Sequence, residues 1–577
     1  MTARRSRSRR GRRRGGARSD SRPAAAEAAR STAAETARPP VAEAAPPTVA
    51  EAGPPTIAGA ARRLGIAQLH AEQEQMIAES LTARDALMIV PTGFGKSACY
   101  QIPSMLLPSP VVLISPLLAL LRDQHQNLVQ RDIPCVRLDG TVRGRNRRLA
   151  MERIAEGGSL LVMTTPETLA SPMMTELLAK TGVSLVAVDE AHCISEWGYD
   201  FRPAYSRIGA QLRLLGNPPL LALTATATER VREAIITSLR MDDPAIVAES
   251  PHRSNLAFEV LRCEGDTRAR VLVRLVKRLR RPGIVYCATR REVDMLYALL
   301  RRFRIPAHRY HGGMTATERN AEQARYMRLG HRTVMIATNA FGLGIDKPDI
   351  RYILHYQSPA SLEQYVQEAG RGGRDGKKAN CILLYDPEDR TIHQALLNRS
   401  RVRPEQLFKL GAALAAWSDE QRSPSLEALA LSAELGPRIA SALLNKVEEA
   451  GFVTCEDSVI RVNDPTRSIE DDTRGLAGQF ERLRTQDSRR LDAIEEYAGA
   501  DECRASFLSR YFGEGACEPC GLCDVCRGRP TRPVGFFAPL TPPKAPKRKT
   551  RPRRRGGTRS GSRRRRPRRA PRASKPD

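Results

Sequence analysis

The chain lacks the features that mark membrane and secreted proteins. Within its 577 residues, no run approaches the roughly 20 uninterrupted apolar residues that a membrane-spanning helix needs. The N-terminus is rich in arginine but has no apolar segment of the kind found in secretory signals. Repeats of the solenoid kind are also absent. We therefore expect an intracellular protein without membrane contact, with several domains because the chain is too long for one core.

A disulfide framework is missing as well. Seven of the 12 cysteines are scattered as far as residue 455, and the other five lie between residues 503 and 526. Disulfide-dense scaffolds are small secreted proteins, and this chain is neither small nor expected to be secreted. The clustered cysteines therefore indicate a metal site.

The folded middle of the chain lacks excess charge. The net charge is +29, of which residues 1–22 supply +9 and residues 527–577 supply +19. Arginine-rich tails bind phosphates through counterion release without sequence specificity, so we expect non-specific nucleic-acid contacts by the tails. A solubility tail or a nuclear import signal is the alternative interpretation.

Two stretches of the chain alternate short apolar runs with longer mixed segments. This rhythm is typical of parallel sheets flanked by helices, and it predicts two tandem α/β domains. The predicted strands of the first domain are 87–90, 111–115, 160–164, 185–188 and 220–224. Those of the second domain are 283–287, 308–310, 334–338, 352–355 and 379–385.

Residues 400–500 change in character. Helices are predicted at 405–417, 425–431 and 437–450, and short strands at 451–453 and 458–462. Three helices and a hairpin form a plausible winged helix, which could either bind DNA or be purely structural. A further helix is predicted at about 475–498.

Residues 91–97, with the sequence PTGFGKS, follow the first strand. A strand, a glycine-rich turn and a helix surround phosphate with backbone N–H groups. Lys96 would reach the β- and γ-phosphates and the Ser97 hydroxyl would bind Mg²⁺, although Val90 occupies the first glycine position of the strict motif. The predicted phosphate-binding residues are Thr92, Gly93, Gly95, Lys96 and Ser97.

Charged residues that suit nucleotide hydrolysis follow later strands. Asp189 and Glu190 come directly after the run 185–188, where the first would hold Mg²⁺ and the second would polarise the attacking water. Arg371 and Arg374 lie in the second α/β domain. If they reach across the cleft between the domains, they stabilise the transition state and tie hydrolysis to domain closure.

Four of the clustered cysteines have metal-ligand spacing. Cys503, Cys520, Cys523 and Cys526 are separated by 16, 2 and 2 residues, which suits a structural tetrahedral Zn²⁺ site. Cys517 is off this pattern and is expected to be free. An iron–sulfur cluster or a redox pair is the alternative.

Residues 64–387 resemble the helicase core of the RecQ-type DNA helicases. The matching segments are 91–97, 115–117, 189–192, 223–226, 337–348 and 367–375. Residues 193–203 resemble the aromatic-rich loop of that family, which senses single-stranded DNA and couples it to ATP hydrolysis. The resemblance implies that Trp197 and Phe201 stack on bases, that Arg202 contacts DNA, and that Cys503–x16–Cys520 begins the zinc-binding subdomain of the family.

The sequence departs from the family pattern at the loop and at the base-recognition segment. Tyr199 stands where the family usually has histidine, so coupling could be altered because tyrosine carries no charge near neutral pH. Gln73 matches the nucleotide-reading glutamine of the family. Ile66 and His70, however, replace the aromatic residue and the arginine that usually sandwich adenine, which predicts looser adenine selectivity or lower affinity.

The resemblance implies two RecA-like domains, followed by an insertion and a zinc subdomain. In the family, a winged helix normally follows the zinc module, whereas here the candidate winged helix precedes it, and no strand-separating hairpin can be placed. The expected limits are a disordered basic and Ala/Pro-rich tail at 1–58, an ATP-binding domain at 59–248, a helicase C-terminal domain at 249–398, a winged-helix-like insertion at 399–470, a helix and zinc subdomain at 471–527, and a disordered arginine-rich tail at 528–577.

The function implied is that of an ATP-dependent DNA helicase moving 3′ to 5′ on single-stranded DNA and unwinding duplex or forked DNA in recombination and repair. It would use ATP, Mg²⁺ and structural Zn²⁺ as a cytoplasmic monomer, associated with the nucleoid if bacterial, with unknown protein partners. One alternative is an RNA helicase, which the loop 197–203 and the four cysteines oppose. The other is a translocase, or a strand-annealing or architectural protein with weak unwinding.

Overall fold

The computed structural model of the chain describes residues 56–195, 203–250, 252–328, 333–342, 347–400, 403–456, 459–464, 468–515, 517–528 and 539–541. Within these ranges, no helix combines the length and the apolar character needed to cross a membrane. The aromatic-loop residues singled out from the sequence lie outside the described residues: Trp197, Tyr199, Phe201 and Arg202. The N-terminal basic tail and nearly all of the C-terminal one also lie outside them.

Lobe 1 (residues 56–250) is built on a seven-stranded parallel sheet with the order β3-β4-β2-β5-β6-β1-β7. Its strands are β1 Ala86–Ile89, β2 Val111–Ile114, β3 Cys135–Leu138, β4 Leu161–Thr164, β5 Leu185–Val188, β6 Leu220–Thr224 and β7 Ala245–Ala248. The two that the sequence did not predict, β3 and β7, lie at the two edges of the sheet. Their side chains alternate between buried and more exposed, whereas the five predicted strands are apolar except for a final threonine in β4 and β6 and are buried on both faces.

Helices cover both faces of this sheet and enclose two hydrophobic clusters. They are α1 Ile57–Arg63, α2 Ala71–Leu81, α3 Ala98–Leu106, α4 Leu118–Val129, α5 Gly144–Ala155, α6 Pro166–Leu169, α7 Pro172–Thr181, α8 Pro203–Ser206, α9 Ile208–Leu214 and α10 Glu229–Leu239. A short 3₁₀ turn, Ala191–Ile194, follows β5.

Lobe 2 (residues 252–400) carries a six-stranded parallel sheet with the order β10-β11-β9-β12-β13-β8. Its strands are β8 Leu256–Arg262, β9 Gly283–Tyr286, β10 Ala307–Tyr310, β11 Val334–Ala337, β12 Tyr352–His355 and β13 Ala379–Tyr385. Its helices are α11 Asp266–Arg278, α12 Arg290–Arg302, α13 Ala316–Arg328, α14 Leu362–Ala369 and α15 Asp389–Ser400. The predicted pair of parallel-sheet domains is confirmed, with β8 as an edge strand that the sequence did not predict.

Three helices and an antiparallel hairpin follow lobe 2, as predicted. They are α16 Pro404–Asp419, α17 Leu426–Ser432, α18 Pro437–Glu449, β14 Val453–Glu456 and β15 Val459–Val462. Ser425 caps α17, because its side chain accepts from the Ala428 N–H at 3.2 Å. The next helix, α19 Ile469–Gly499, begins earlier than predicted because Ser468 caps it. The last helix is α20 Arg504–Tyr511.

Candidate functional site

Residues 91–97, predicted to bind phosphate and called the phosphate loop below, join β1 to α3 at the carboxyl edge of the lobe 1 sheet. Gly93 and Gly95 have φ angles of +88° and +89°, a backbone conformation that residues with side chains rarely adopt. The Lys96 ammonium donates to the Val90 carbonyl at 3.1 Å. Val90 thus supplies a backbone oxygen while its side chain is buried, which explains why the first glycine of the strict motif can be absent.

The paired acids lie beside this loop. Because β5 and β1 both pair with β6 in a parallel sheet, Asp189 and Glu190 emerge at the same edge as the phosphate loop. Asp189 is buried, and burial together with the Glu190 carboxylate raises the pKa of Asp189 to about 7. Burial lowers the pKa of Lys96, an effect that both acids oppose. The three groups therefore form one interacting charge cluster.

Close polar contacts connect the acids to the neighbouring strand. Glu190 has a left-handed backbone, φ +50°, which turns the chain into the 3₁₀ turn. His192 Nδ1 lies 3.4 Å from the Glu190 carboxylate and 2.9 Å from the Thr224 hydroxyl, which itself donates to the Thr226 carbonyl at 3.1 Å. The segments 189–192 and 223–226, matched separately in the sequence, are thus physically joined.

Both lobes line a single cavity of about 290 Å³. Residues of lobe 1 that line it include Thr92, Gly93, Gly95, Lys96, Ser97, Asp189 and Glu190. Residues of lobe 2 that line it are Gly342, Gln367, Arg371 and Arg374. The lysine, acids and arginines singled out in the sequence are therefore brought together around one space.

Direct contacts between the lobes bring the arginines to the phosphate loop. A Cβ atom built on Gly370 would lie 2.5 Å from the Thr92 hydroxyl, so glycine at this position lets the Thr92 side chain of lobe 1 approach the lobe 2 backbone this closely. A Cβ atom on Gly93 would lie 3.1 Å from Cδ and Nε of Arg374. Arg371 is buried and donates to the Gly342 carbonyl. At the cleft, Arg371 is therefore held by a hydrogen bond within lobe 2, and Arg374 packs against the phosphate loop.

The end of the site that is expected to bind the nucleotide base, called the base end below, is built differently. The Gln73 side chain donates to the carbonyls of Phe94 and Gly95 at 3.1 and 2.9 Å, while its oxygen accepts from the His70 N–H at 2.9 Å. Both donors of this amide are used by the phosphate loop, which leaves only one lone pair of its oxygen for a base. The structure thus gives Gln73 a role in bracing the loop that the sequence did not predict.

A second cavity, of about 400 Å³, adjoins Gln73, and Ile66 and His70 line it. The His70 ring packs on Phe94 with 4.5 Å between centroids. Gln124 and Asn127 of α4 line both this cavity and the phosphate cavity. The sequence analysis missed these two amides, although their spacing of three residues on a helix directs them to the same face.

The four patterned cysteines form a second site. Their sulfur atoms all lie within 4.8 Å of one another, which fits a tetrahedral ion with Zn–S bonds of about 2.3 Å. The backbone N–H groups of Cys520 and Cys526 donate to the sulfurs of Cys503 and Cys523, each at 3.3 Å, so the backbone of the module orients these two sulfurs. Cys517 is exposed and lies outside the cluster, as predicted.

The zinc module is fixed to the edge of the lobe 2 sheet. The Asp524 N–H donates to the Phe258 carbonyl and the Val260 N–H donates to the Asp524 carboxylate, both at 3.0 Å. The buried Arg504 binds the same carboxylate through two nitrogens at 3.0 and 3.2 Å. The cysteine cluster therefore orders a residue that covers the otherwise open edge strand β8.

Comparisons with known proteins agree with this architecture. Residues 70–234 match the DEAD/DEAH box helicase family, residues 267–376 the helicase conserved C-terminal domain, and residues 466–527 the RecQ zinc-binding family.

Three curated relatives show how much of the chain is shared. The chain is 39% identical over 349 residues to the ATP-dependent DNA helicase RecQ of Bacillus subtilis, covering 60% of this chain and 58% of that protein. It is 30% identical to the ATP-dependent DNA helicase RecQ of Pasteurella multocida, covering 82% of this chain and 62% of that protein. It is 32% identical over 486 residues to the ATP-dependent DNA helicase RecQ of Synechocystis, covering 81% of this chain and 97% of that protein.

Proposed function

We propose that this chain, which belongs to the RecQ family of ATP-dependent DNA helicases, hydrolyses ATP between its lobes to move 3′ to 5′ along single-stranded DNA. This movement would unwind duplex or forked DNA in recombination or repair. The observation that carries this proposal is the cavity bounded by the lysine and acids of lobe 1 and the arginines of lobe 2. Because neither lobe supplies the whole set, hydrolysis depends on how the lobes sit together.

Each charged group of the cavity has a chemical task under this proposal. Lys96 holds the β- and γ-phosphates, and Ser97 with Asp189 would hold Mg²⁺, which neutralises phosphate charge when bound. Glu190 orients the attacking water. Arg371 and Arg374 stabilise the charge that develops in the transition state, an effect worth about 10³–10⁵ in rate when supplied by an arginine.

DNA would reach this chemistry through the aromatic-rich loop, as the family resemblance implies. Under the proposal, Trp197 and Phe201 stack on bases, Arg202 contacts DNA, and Tyr199 alters the strength of coupling. The helix that follows the loop, α8, supports the idea, because the buried Tyr205 hydroxyl donates to the Asp189 carbonyl at 3.0 Å. A shift of the loop would thus be transmitted to the metal-binding acid.

Two assays test the proposal. ATP turnover is measured without nucleic acid, with single-stranded DNA and with RNA, and we expect DNA to stimulate it most. Unwinding is then measured on forked, 3′-tailed and 5′-tailed duplexes, and we expect the first two to be unwound. Preferential stimulation by RNA would favour an RNA helicase, and no turnover at all would favour an architectural protein.

A second candidate is a DNA-stimulated translocase with weak unwinding. It is favoured by the position of the β14–β15 hairpin, whose preceding Gly451 lies under the Arg207 guanidinium of lobe 1. Because this hairpin packs on lobe 1 and precedes the zinc module, it is poorly placed to replace a strand-separating hairpin that follows that module. Displacement of streptavidin from biotinylated single-stranded DNA, without duplex unwinding, would support this candidate.

We also propose a monomer that acts in the cytoplasm, at the nucleoid if the cell is bacterial. The tails, which carry +28 of the net charge, would supply non-specific DNA affinity. Deleting residues 1–58 and 528–577 should weaken DNA binding and flatten its salt dependence. An unchanged salt slope would instead assign that affinity to the folded part of the chain.

A further inference from the structure

Residues 252–255, at the start of lobe 2 just ahead of β8, contain an arginine that binds the loop carrying Arg371 and Arg374. We call residues 370–374 the arginine loop. The Arg253 guanidinium donates from Nη1 to the carbonyls of Gly370 and Gly372 at 3.0 and 3.1 Å, and from Nη2 to the Gly373 carbonyl. We propose that Arg253 is a positioning residue that holds the arginine loop against the phosphates of bound ATP.

A second residue of the same segment adds further hydrogen bonds to the arginine loop and the residues that follow it. The Asn255 side chain donates to the carbonyls of Gly373 and Lys377 at 2.8 and 2.9 Å, and the Ala379 N–H donates to the Asn255 carbonyl at 3.0 Å. The arginine loop is thus tied to residues 252–255 from its first glycine to the start of β13. When this segment changes conformation, the loop must move with it.

The chemistry of the loop explains why an arginine is suited to this place. Helix α14 ends at Ala369, and the last carbonyls of a helix have no partner within it. A cation at this end also interacts favourably with the helix dipole. The planar guanidinium can donate to several carbonyls at once, whereas a lysine ammonium offers no such fixed fork.

The held loop is the one that contacts the phosphate loop. Gly370 abuts Thr92, and the Arg374 side chain abuts Gly93, so a small displacement of the arginine loop changes the distance of both arginines from the phosphates. This inference rests on the proposed ATP hydrolysis. Arg253 itself does not line the cavity, so its effect must act through Arg371 and Arg374.

The test is the steady-state ATP hydrolysis of Arg253→Gln in the full chain with saturating single-stranded DNA. We expect kcat to fall about 10- to 100-fold, because small misplacements of catalytic groups have effects of this size, while KM changes less than about threefold. The matched control is Arg84→Gln, since Arg84 also joins distant segments by donating to the Asp243 carbonyl, at 3.3 Å, but lies away from the cleft. Its kcat should equal that of the wild type.

A double-mutant cycle separates positioning from general damage. On an Arg371→Ala/Arg374→Ala background, Arg253→Gln should produce no further loss, because the groups it positions are gone. A further loss of the same size would overturn the inference, as would an unchanged kcat in the single variant. A wild type without ATP turnover would instead remove the proposed function itself.

A second variant addresses folding. If Arg253→Gln lowers the melting temperature more than Arg84→Gln does, the same kinetic measurement is made on Asn255→Ala. This variant keeps the Arg253 guanidinium and removes the two hydrogen bonds from the Asn255 side chain to the carbonyls of Gly373 and Lys377. We expect a three- to tenfold lower kcat for it, with KM unchanged and no effect on the double-arginine background. Wild-type turnover in this variant would overturn the inference.

Discussion

The phosphate end of the nucleotide site and its base end are built by different means. The phosphate end is assembled from both lobes around the half-buried Lys96 and the buried Asp189, and glycines of each lobe let side chains of the other approach closely. The base end comes from lobe 1 alone, with an exposed His70 and a half-buried Ile66. The chemistry is therefore fixed by packed, interdependent groups, whereas base identity depends on contacts that can vary independently.

The largest expected effect that tests this comparison comes from Lys96→Ala. Removing the ammonium takes away the positive charge nearest the paired acids and the phosphates, so kcat should fall by about 10³-fold or more. Lys180, which is exposed on α7, provides the matched control Lys180→Ala with unchanged turnover. Single-stranded DNA binding, measured by fluorescence anisotropy, should survive in both variants. Persistent hydrolysis in Lys96→Ala would show that the phosphate end does not work as a unit.

The next effect concerns the contact between the lobes. In Gly370→Val, the new side chain would meet the Thr92 hydroxyl, which lies only 2.5 Å from where the added Cβ atom would stand, and would hold the lobes apart. We expect kcat to fall about 10²-fold with little change in KM, because the arginines act mainly in the transition state. Gly475→Ala, where nothing lies within 4 Å of the added Cβ atom, is the control. Equal kcat values in the two variants would mean that the lobes need not close this far.

The sequence predicted the phosphate end better than the base end for a physical reason. Residues such as Lys96 and Asp189 lie near the ends of fully buried strands, and apolar runs reveal such strands directly. Gln73 was recognised, but its pairing with Phe94 and Gly95 depends on how α2 packs against the loop, which no local pattern encodes. The edge strands β3, β7 and β8 escaped prediction for a different reason, because only part of each strand is buried.

Contacts between distant segments were the other gap. Arg253 binds a loop that follows it at sequence separations of 117 to 120 residues. An arginine in an irregular segment has no periodicity that would distinguish it from a solvated surface residue. The sequence analysis missed Asp524 in the same way, because this residue hydrogen-bonds to the edge strand β8 and is not one of the patterned cysteines. The reactive groups could be predicted from the sequence, but the residues that position them could not.

A moderate effect is expected from pH at the phosphate end. The pKa of Asp189 is raised to about 7 by burial and by Glu190, so this carboxylate, which we propose binds Mg²⁺, becomes protonated as pH falls from about 8 to about 6. Because metal ligands must be deprotonated, the apparent affinity for Mg²⁺ with a bound fluorescent ATP analogue should weaken about tenfold over this range. The Mg²⁺ affinity of the free analogue is measured in parallel and subtracted. A flat profile would indicate a carboxyl with an ordinary pKa and a less tightly coupled phosphate end.

The smallest effect is expected at the base end, from the double variant Ile66→Tyr/His70→Arg. These residues restore the aromatic and cationic pair that can enclose a purine, and stacking contributes about 0.5–1.5 kcal/mol. KM for ATP should therefore fall three- to tenfold while kcat stays constant, and the preference for ATP over GTP should rise. Leu149→Tyr, at an exposed position on α5, controls for an added aromatic ring. A change in kcat larger than the change in KM would mean that the base end also sets the position of the phosphate loop. The hydrogen bonds of Gln73 to Phe94 and Gly95 provide a physical route for such an effect.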